Sequence, residues 1–135
     1  MTTLQLIYTY LLTVPAFFLI DMVWLGLVAK NFYQSQIGFL LGPINWTAAI
    51  LFYLLYIGGI IFFAVHPALI AGSFAKAVLY GALFGFFAYA TYDLTNLATV
   101  KDWPLLVTFV DLLWGTILTG SVAAAGYYLA KTFVL

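Results

Sequence analysis

The chain reads as an all-α integral membrane protein, a four-helix transmembrane bundle, on three observations. Hydrophobic residues fill 67% of its 135 positions, and the mean hydropathy is +1.16. Charged residues fill only 6%, where a soluble domain carries roughly 25%. Apolar runs of the roughly 20 residues needed to cross a bilayer recur four times between short polar or glycine- and proline-bearing connections. The alternation of a membrane β-barrel strand is absent.

A single domain over 1–135 is expected, and its elements follow in order. The first helix is expected over 4–29. No lysine-rich segment precedes its apolar run and no small-residue cleavage site follows, so it reads as a retained helix rather than a signal peptide. Pro15 lies inside it and is expected to kink it, freeing the Leu11 carbonyl. A polar stretch from Lys30 to Gln36 and a Gly38–Pro43 turn region come next. The second helix is expected over 45–65, stopped by His66 and Pro67. The third is expected over 74–98. The fourth is expected over 104–130, with Pro104 in the first turn, where a missing N–H costs nothing. Short connections make sequential helices antiparallel.

Small residues mark packing seams. Ala77, Gly81 and Gly85 are spaced by four, as are Gly115 and Thr119, and Gly120 and Ala124. Such stripes let helix backbones approach closely, and packing within the bundle is favoured over a dimer face. Tyr8, Tyr10, Tyr127 and Tyr128 read as interface anchors on the side of the termini, and Trp46 and Trp103 on the other. Lysines divide evenly, with Lys76 and Lys131 on the terminal side and Lys30 and Lys101 opposite. The free amine, and Asp102 on the far side, favour both termini inside, so a multi-pass inner-membrane protein with cytoplasmic termini is expected.

Composition removes several classes of function. All four cations are lysine, all four anions are aspartate, and the net charge is zero. Without a basic patch, nucleic acid is not a partner. The absence of cysteine removes disulfides, thiolate metal sites and thiol catalysis. A lone histidine removes multi-histidine metal centres.

Three of the four aspartates, Asp21, Asp93 and Asp111, fall inside the expected helices. A charged side chain at the bilayer centre costs about 2.5–3.5 kcal/mol on insertion scales and is a functional candidate by default. Asp21 lies nine residues before Lys30, Asp93 eight before Lys101, and Asp111 seven after Pro104. At 1.5 Å per residue, all three sit about 8–13 Å below the same surface. Asp21-Met-Val-Trp24 and Asp111-Leu-Leu-Trp114 repeat one D-x-x-W pattern, whose ends share a helix face. Asp93 lies in Thr91-Tyr92-Asp93-Leu94-Thr95-Asn96, the most polar window of the spans. It shares a face with Asn96, and Tyr92 shares the adjacent one. The expected ligand-binding set is therefore Asp21, Trp24, Tyr92, Asp93, Asn96, Asp111 and Trp114, with Asn45 reaching the same level. The bland alternative is that these aspartates are interhelix glue. Such bonds are worth about 0.6 kcal/mol in membranes, and three acids in one layer without a cation create a charge problem that a bound proton or cation resolves. The tryptophans read as packing residues whose indole N–H meets a carboxylate. Lys30 is expected to snorkel outward, and His66 and Asp102 to be solvated.

The string Ala90-Thr91-Tyr92-Asp93-Leu94-Thr95-Asn96 continuing to Trp103-Pro104, with Asp21–Gly26 upstream and Val110–Gly115 downstream, resembles an uncharacterised family of small bacterial membrane proteins, domain of unknown function 2177. The resemblance spans essentially the whole chain. It implies a four-helix inner-membrane protein and carries no assigned activity or catalytic residues.

Three classes of function remain. The first is a protein that binds or carries a proton, a cation or a small lipid-like ligand, with a carboxyl exchanging its proton for the ligand. The second is a membrane-lipid-modifying enzyme or its accessory subunit, with Asp93 and Asp111 as an acid–base pair. No nucleophile–base dyad and no cofactor motif accompany that pair. The third is a structural subunit facing a membrane partner or a second copy of itself. Membrane lipids are the expected partners, and no cofactor or metal is expected. A Mg²⁺ or Ca²⁺ site of three carboxylates and an amide is a side possibility that D-x-x-W spacing does not encode.

Overall fold

The computed structural model describes residues 1–135 as an all-α bundle. Four helices are long and apolar enough to cross a membrane: α1 (Thr3–Val28), α3 (Trp46–Ala71), α4 (Phe74–Thr99) and α5 (Leu105–Phe133). At 26–29 residues each, and 1.5 Å per residue, they reach about 40 Å, enough to span the hydrocarbon core with ends to spare. A short helix, α2 (Lys30–Ile37), lies between the first two spans. It forms where the sequence reads as a polar connection.

Each span begins or ends for a local reason. Thr2 caps α1, accepting from the Gln5 N–H while the Gln5 side chain accepts from the Thr2 N–H, a reciprocal box that satisfies two otherwise orphaned donors. Asn45 and Ser73 cap α3 and α4, each accepting from the N–H three residues on. Gly72 takes the left-handed conformation, φ 63°, at the end of α3, which glycine does without a Cβ clash. Asp102 adopts φ 61° in the tight turn between α4 and α5, a conformation aspartate tolerates better than most residues.

One expectation about the ends changes. α3 continues through His66 and Pro67 to Ala71 rather than stopping at 65. The turn just before the proline, Ile61–Val65, is a wide π turn, so Pro67 enters where a regular bonding ladder has already been interrupted. α1 also closes on a π turn, Trp24–Val28, in which the Ala29 N–H reaches back to the Trp24 carbonyl at 2.8 Å. The chain then folds back immediately into α2. Pro15 is accommodated inside α1, which remains helical on both sides of it.

α5 is the axis of the bundle. It packs most extensively on α4 and next on α1. The small residues make this possible. A Cβ on Gly85 would stand 2.0 Å from the Gly115 carbonyl oxygen, and one on Gly81 would stand 2.5 Å from the Ala123 Cβ. The glycine stripes are thus spent inside the molecule. Phe17, Tyr56, Ile57, Ile60, Val65, Leu118 and Val122 form the main core, crossed by a hydrogen bond between the Tyr56 and Thr119 hydroxyls at 2.7 Å. α3 meets α4 mainly through its second half. Its first half, 46–60, stands away from α4, with the Phe84 ring wedged between, stacked on Tyr56 and Phe63.

Candidate functional site

The two D-x-x-W segments lie opposite one another on antiparallel α1 and α5, and their members pair crosswise. Trp24 and Trp114 stack face to face, with centroids 4.6 Å apart and planes 11° from parallel. The Trp114 indole nitrogen faces the Asp21 carboxyl, as does the Tyr53 hydroxyl of α3. Trp114 Nε1 nevertheless completes no hydrogen bond. The Trp24 indole N–H donates instead to the Tyr33 hydroxyl at 3.3 Å, and Tyr33 donates to Asp111 at 2.5 Å. Neither indole N–H is thus bonded to a carboxylate as expected: Trp114 only faces Asp21, and Trp24 reaches Asp111 through Tyr33.

Tyr33 is placed by α2. The helix is amphipathic, and Ile37 with the flanking Phe32 packs on Trp103, Val107 and Leu97 at the mouth of the α4–α5 turn. This docking turns the Tyr33 hydroxyl down into the bundle. Burial, reinforced by the Asp111 carboxylate, holds the phenol above its ordinary range, so it remains a donor at neutral pH.

Asp93 is fully buried on α4, with neither carboxyl oxygen hydrogen-bonded. Its carboxyl faces that of Asp111. Two carboxylates cannot bond to one another, whereas a carboxylic acid donates to a carboxylate. One protonated member of such a facing pair can donate to the other.

A cavity of about 850 Å³ opens over this layer. Asp21, Asp111, Trp24, Trp114 and Tyr92 line it, together with Lys30, Gln34, Tyr33, Tyr53, Tyr89 and Trp103. Five of the seven expected site residues thus share one space. Asp93 lies behind Asp111 rather than on the wall, and Asn96 lies beside Tyr92 outside the cavity lining. Asn45 does not reach the layer, since its side chain is committed to capping α3.

Several residues stand where the sequence reading did not put them. Trp103 is no interface anchor but is 8% exposed, with its indole N–H on Thr108 at 3.2 Å and its ring edge-on to Tyr92. Tyr127 is buried as well, against Phe74. Tyr10 donates to the Leu54 carbonyl at 2.8 Å. Trp46, Tyr8 and Tyr128 are exposed, as anchors need to be. Lys30 lines the cavity rather than belonging only to the surface. Tyr33, Tyr53 and Tyr89 also face this layer without any sequence signal. Their spacing carries no motif, and only the fold brings them to the acids. No three carboxylate or histidine groups cluster closely enough to hold a metal ion, because Asp21 faces α3 and α5 while Asp93 and Asp111 face each other.

No curated protein and no solved structure matches the chain. The family model described as a predicted membrane protein, DUF2177, matches residues 6–128, which include every residue of the cavity wall, and the chain belongs to this family.

Proposed function

We propose that the protein binds the ammonium head of an amphiphilic membrane molecule in this cavity. The observation that carries the reading is the composition of its wall. Two carboxylates and seven aromatic rings surround one space with a single lysine at hand. Aromatic faces attract organic cations, best when desolvated, and tryptophan does so most strongly. Carboxylates at membrane depth need positive charge nearby, and the cavity wall itself supplies only Lys30. An ammonium group completes the balance, and the Asp93–Asp111 pair gives up or takes a proton as it arrives or leaves. Chemistry on the bound molecule is the weaker reading, because the wall holds no serine, threonine or histidine. With both termini cytoplasmic, the cavity faces the outer side of an inner membrane.

The cavity reports on itself. Trp24, Trp103 and Trp114 line it, and Trp46, the fourth tryptophan, stands exposed elsewhere. Trp46→Phe protein in dodecyl maltoside, titrated with dodecyltrimethylammonium, is expected to show a saturable fluorescence change. Asp21→Asn and Asp111→Asn are expected to weaken it by about tenfold or more, the scale of a lost partly buried charge contact. Indistinguishable curves in all three proteins would sink the proposal.

A further inference from the structure

A second cleft adjoins the cavity. This space of about 530 Å³ lies between the first half of α3 and α4, walled by Phe52, Tyr53, Ala88, Tyr89 and Tyr92. It has no charged lining, and it shares Tyr53, Tyr89 and Tyr92 with the acid-lined cavity. Phe52 and Tyr92 are each more than half exposed, at positions inside the spans, so the cleft opens sideways into lipid rather than upward into water. It exists because residues 46–60 of α3 stand off α4 while 61–71 pack against it.

We infer that this cleft holds the hydrocarbon chain of the same molecule whose ammonium head occupies the cavity, so that the ligand is a long-chain amine or amine-headed lipid arriving laterally from the bilayer. The inference rests on the ammonium-head reading and adds the ligand's shape to it. The argument is one of continuity and solvent. A space open to the bilayer and walled by aromatic side chains and one alanine is filled by hydrocarbon. A space walled by carboxylates is filled by something polar. Three tyrosines belong to both walls, each with an apolar ring and a polar hydroxyl, and the Tyr53 hydroxyl faces Asp21. One amphiphile fits the joined space with each half in its own solvent. Its single slender chain would lie at Ala88, the one small side chain of the cleft.

The absence of cysteine allows a reversible test. Ala88→Cys protein carrying Trp46→Phe is prepared in a steroid-based detergent, whose rigid rings do not compete for a slender cleft. It is titrated with tetramethylammonium and with dodecyltrimethylammonium, before and after modification by a benzyl methanethiosulfonate reagent. The folded, unmodified protein is its own control. The expected result is that modification weakens the long-chain probe by about tenfold or more, leaves tetramethylammonium unchanged, and is undone by a reductant. If both probes bind and modification changes neither, the chain does not lie in the cleft and the head reading stands without it. If modification alters the oligomeric mass while leaving the long-chain probe unaffected, a protein partner occupies the cleft and the inference fails. If neither probe binds the unmodified protein, the head reading fails and the inference falls with it.

Discussion

Tyr33 is the residue on which the acid layer turns. It accepts from Trp24 and donates to Asp111, so one phenol joins the end of α1, the body of α5 and its own helix α2. Tyr33→Phe keeps the ring and its packing and removes the hydroxyl. Asp111 then loses its tyrosine donor and the Trp24 indole its acceptor. Leaving buried polar groups unsatisfied costs about 1–3 kcal/mol, so a clear fall in the thermal unfolding midpoint in detergent is expected. An unchanged midpoint would show that Tyr33 does not support the layer. Asp21, Asp111 and both tryptophans were legible in the sequence because a charge within an apolar run stands out and i, i+3 spacing fixes a shared face. Tyr33 was not legible. In the polar stretch Lys30 to Gln36 a tyrosine is unexceptional, and its partner is 78 positions away.

At the level of elements, the seam between α4 and α5 and the two π turns do different work. The seam is rigid. Gly85 faces a backbone carbonyl, which cannot swing aside as a flexible side chain can, at a distance no Cβ tolerates. Gly85→Ala is therefore expected to separate the helices and cost about 1–3 kcal/mol, the usual range for overpacking. Gly120→Ala meets its nearest neighbour at 3.4 Å and is expected to be close to neutral. Unfolding in detergent compares the two, and equal stability of the variants would contradict the packing described. The spacing of Ala77, Gly81 and Gly85 announced this seam in advance. The π turns were not announced. Each widens a helix where the hydrophobic pattern continues unbroken, and each sits where the bundle changes its packing: Trp24–Val28 beside the cavity, and Ile61–Val65 where α3 closes on α4. Such turns recur at functional sites. His66 and Pro67 read as a stop because the proline rule assumes a regular α-helix ahead of it, and the π turn removes that assumption.

The whole molecule places its cohesion and its charge in separate regions. Lipid tails are as apolar as the helix surfaces, so no hydrophobic drive holds the spans together, and close packing must supply the cohesion. That packing is concentrated where α5 meets α4 and α1, in the glycine seam and the core around Leu118 and Val122. The acid layer lies toward the other end, under α2, and there the molecule tolerates a fully buried aspartate with both oxygens unpartnered. Such a group adds no cohesion. Replacing a buried ionisable group by a neutral one of the same shape is often neutral or stabilising, and function is the usual reason a protein keeps a residue that weakens it. Asp93→Asn keeps the shape and turns one oxygen into an N–H donor that reaches Asp111. The expected outcome is an unfolding midpoint equal to or above wild type, by the equivalent of about 0.5–1.5 kcal/mol if the new bond forms, together with weaker binding of dodecyltrimethylammonium. The two readouts separate the possible roles of the layer. A lower midpoint with an unaltered titration would make Asp93 an interhelix fastener and remove it from the site. A higher midpoint with lost binding would mean that the bundle accepts an unfavourable buried acid because the molecule above it needs the charge.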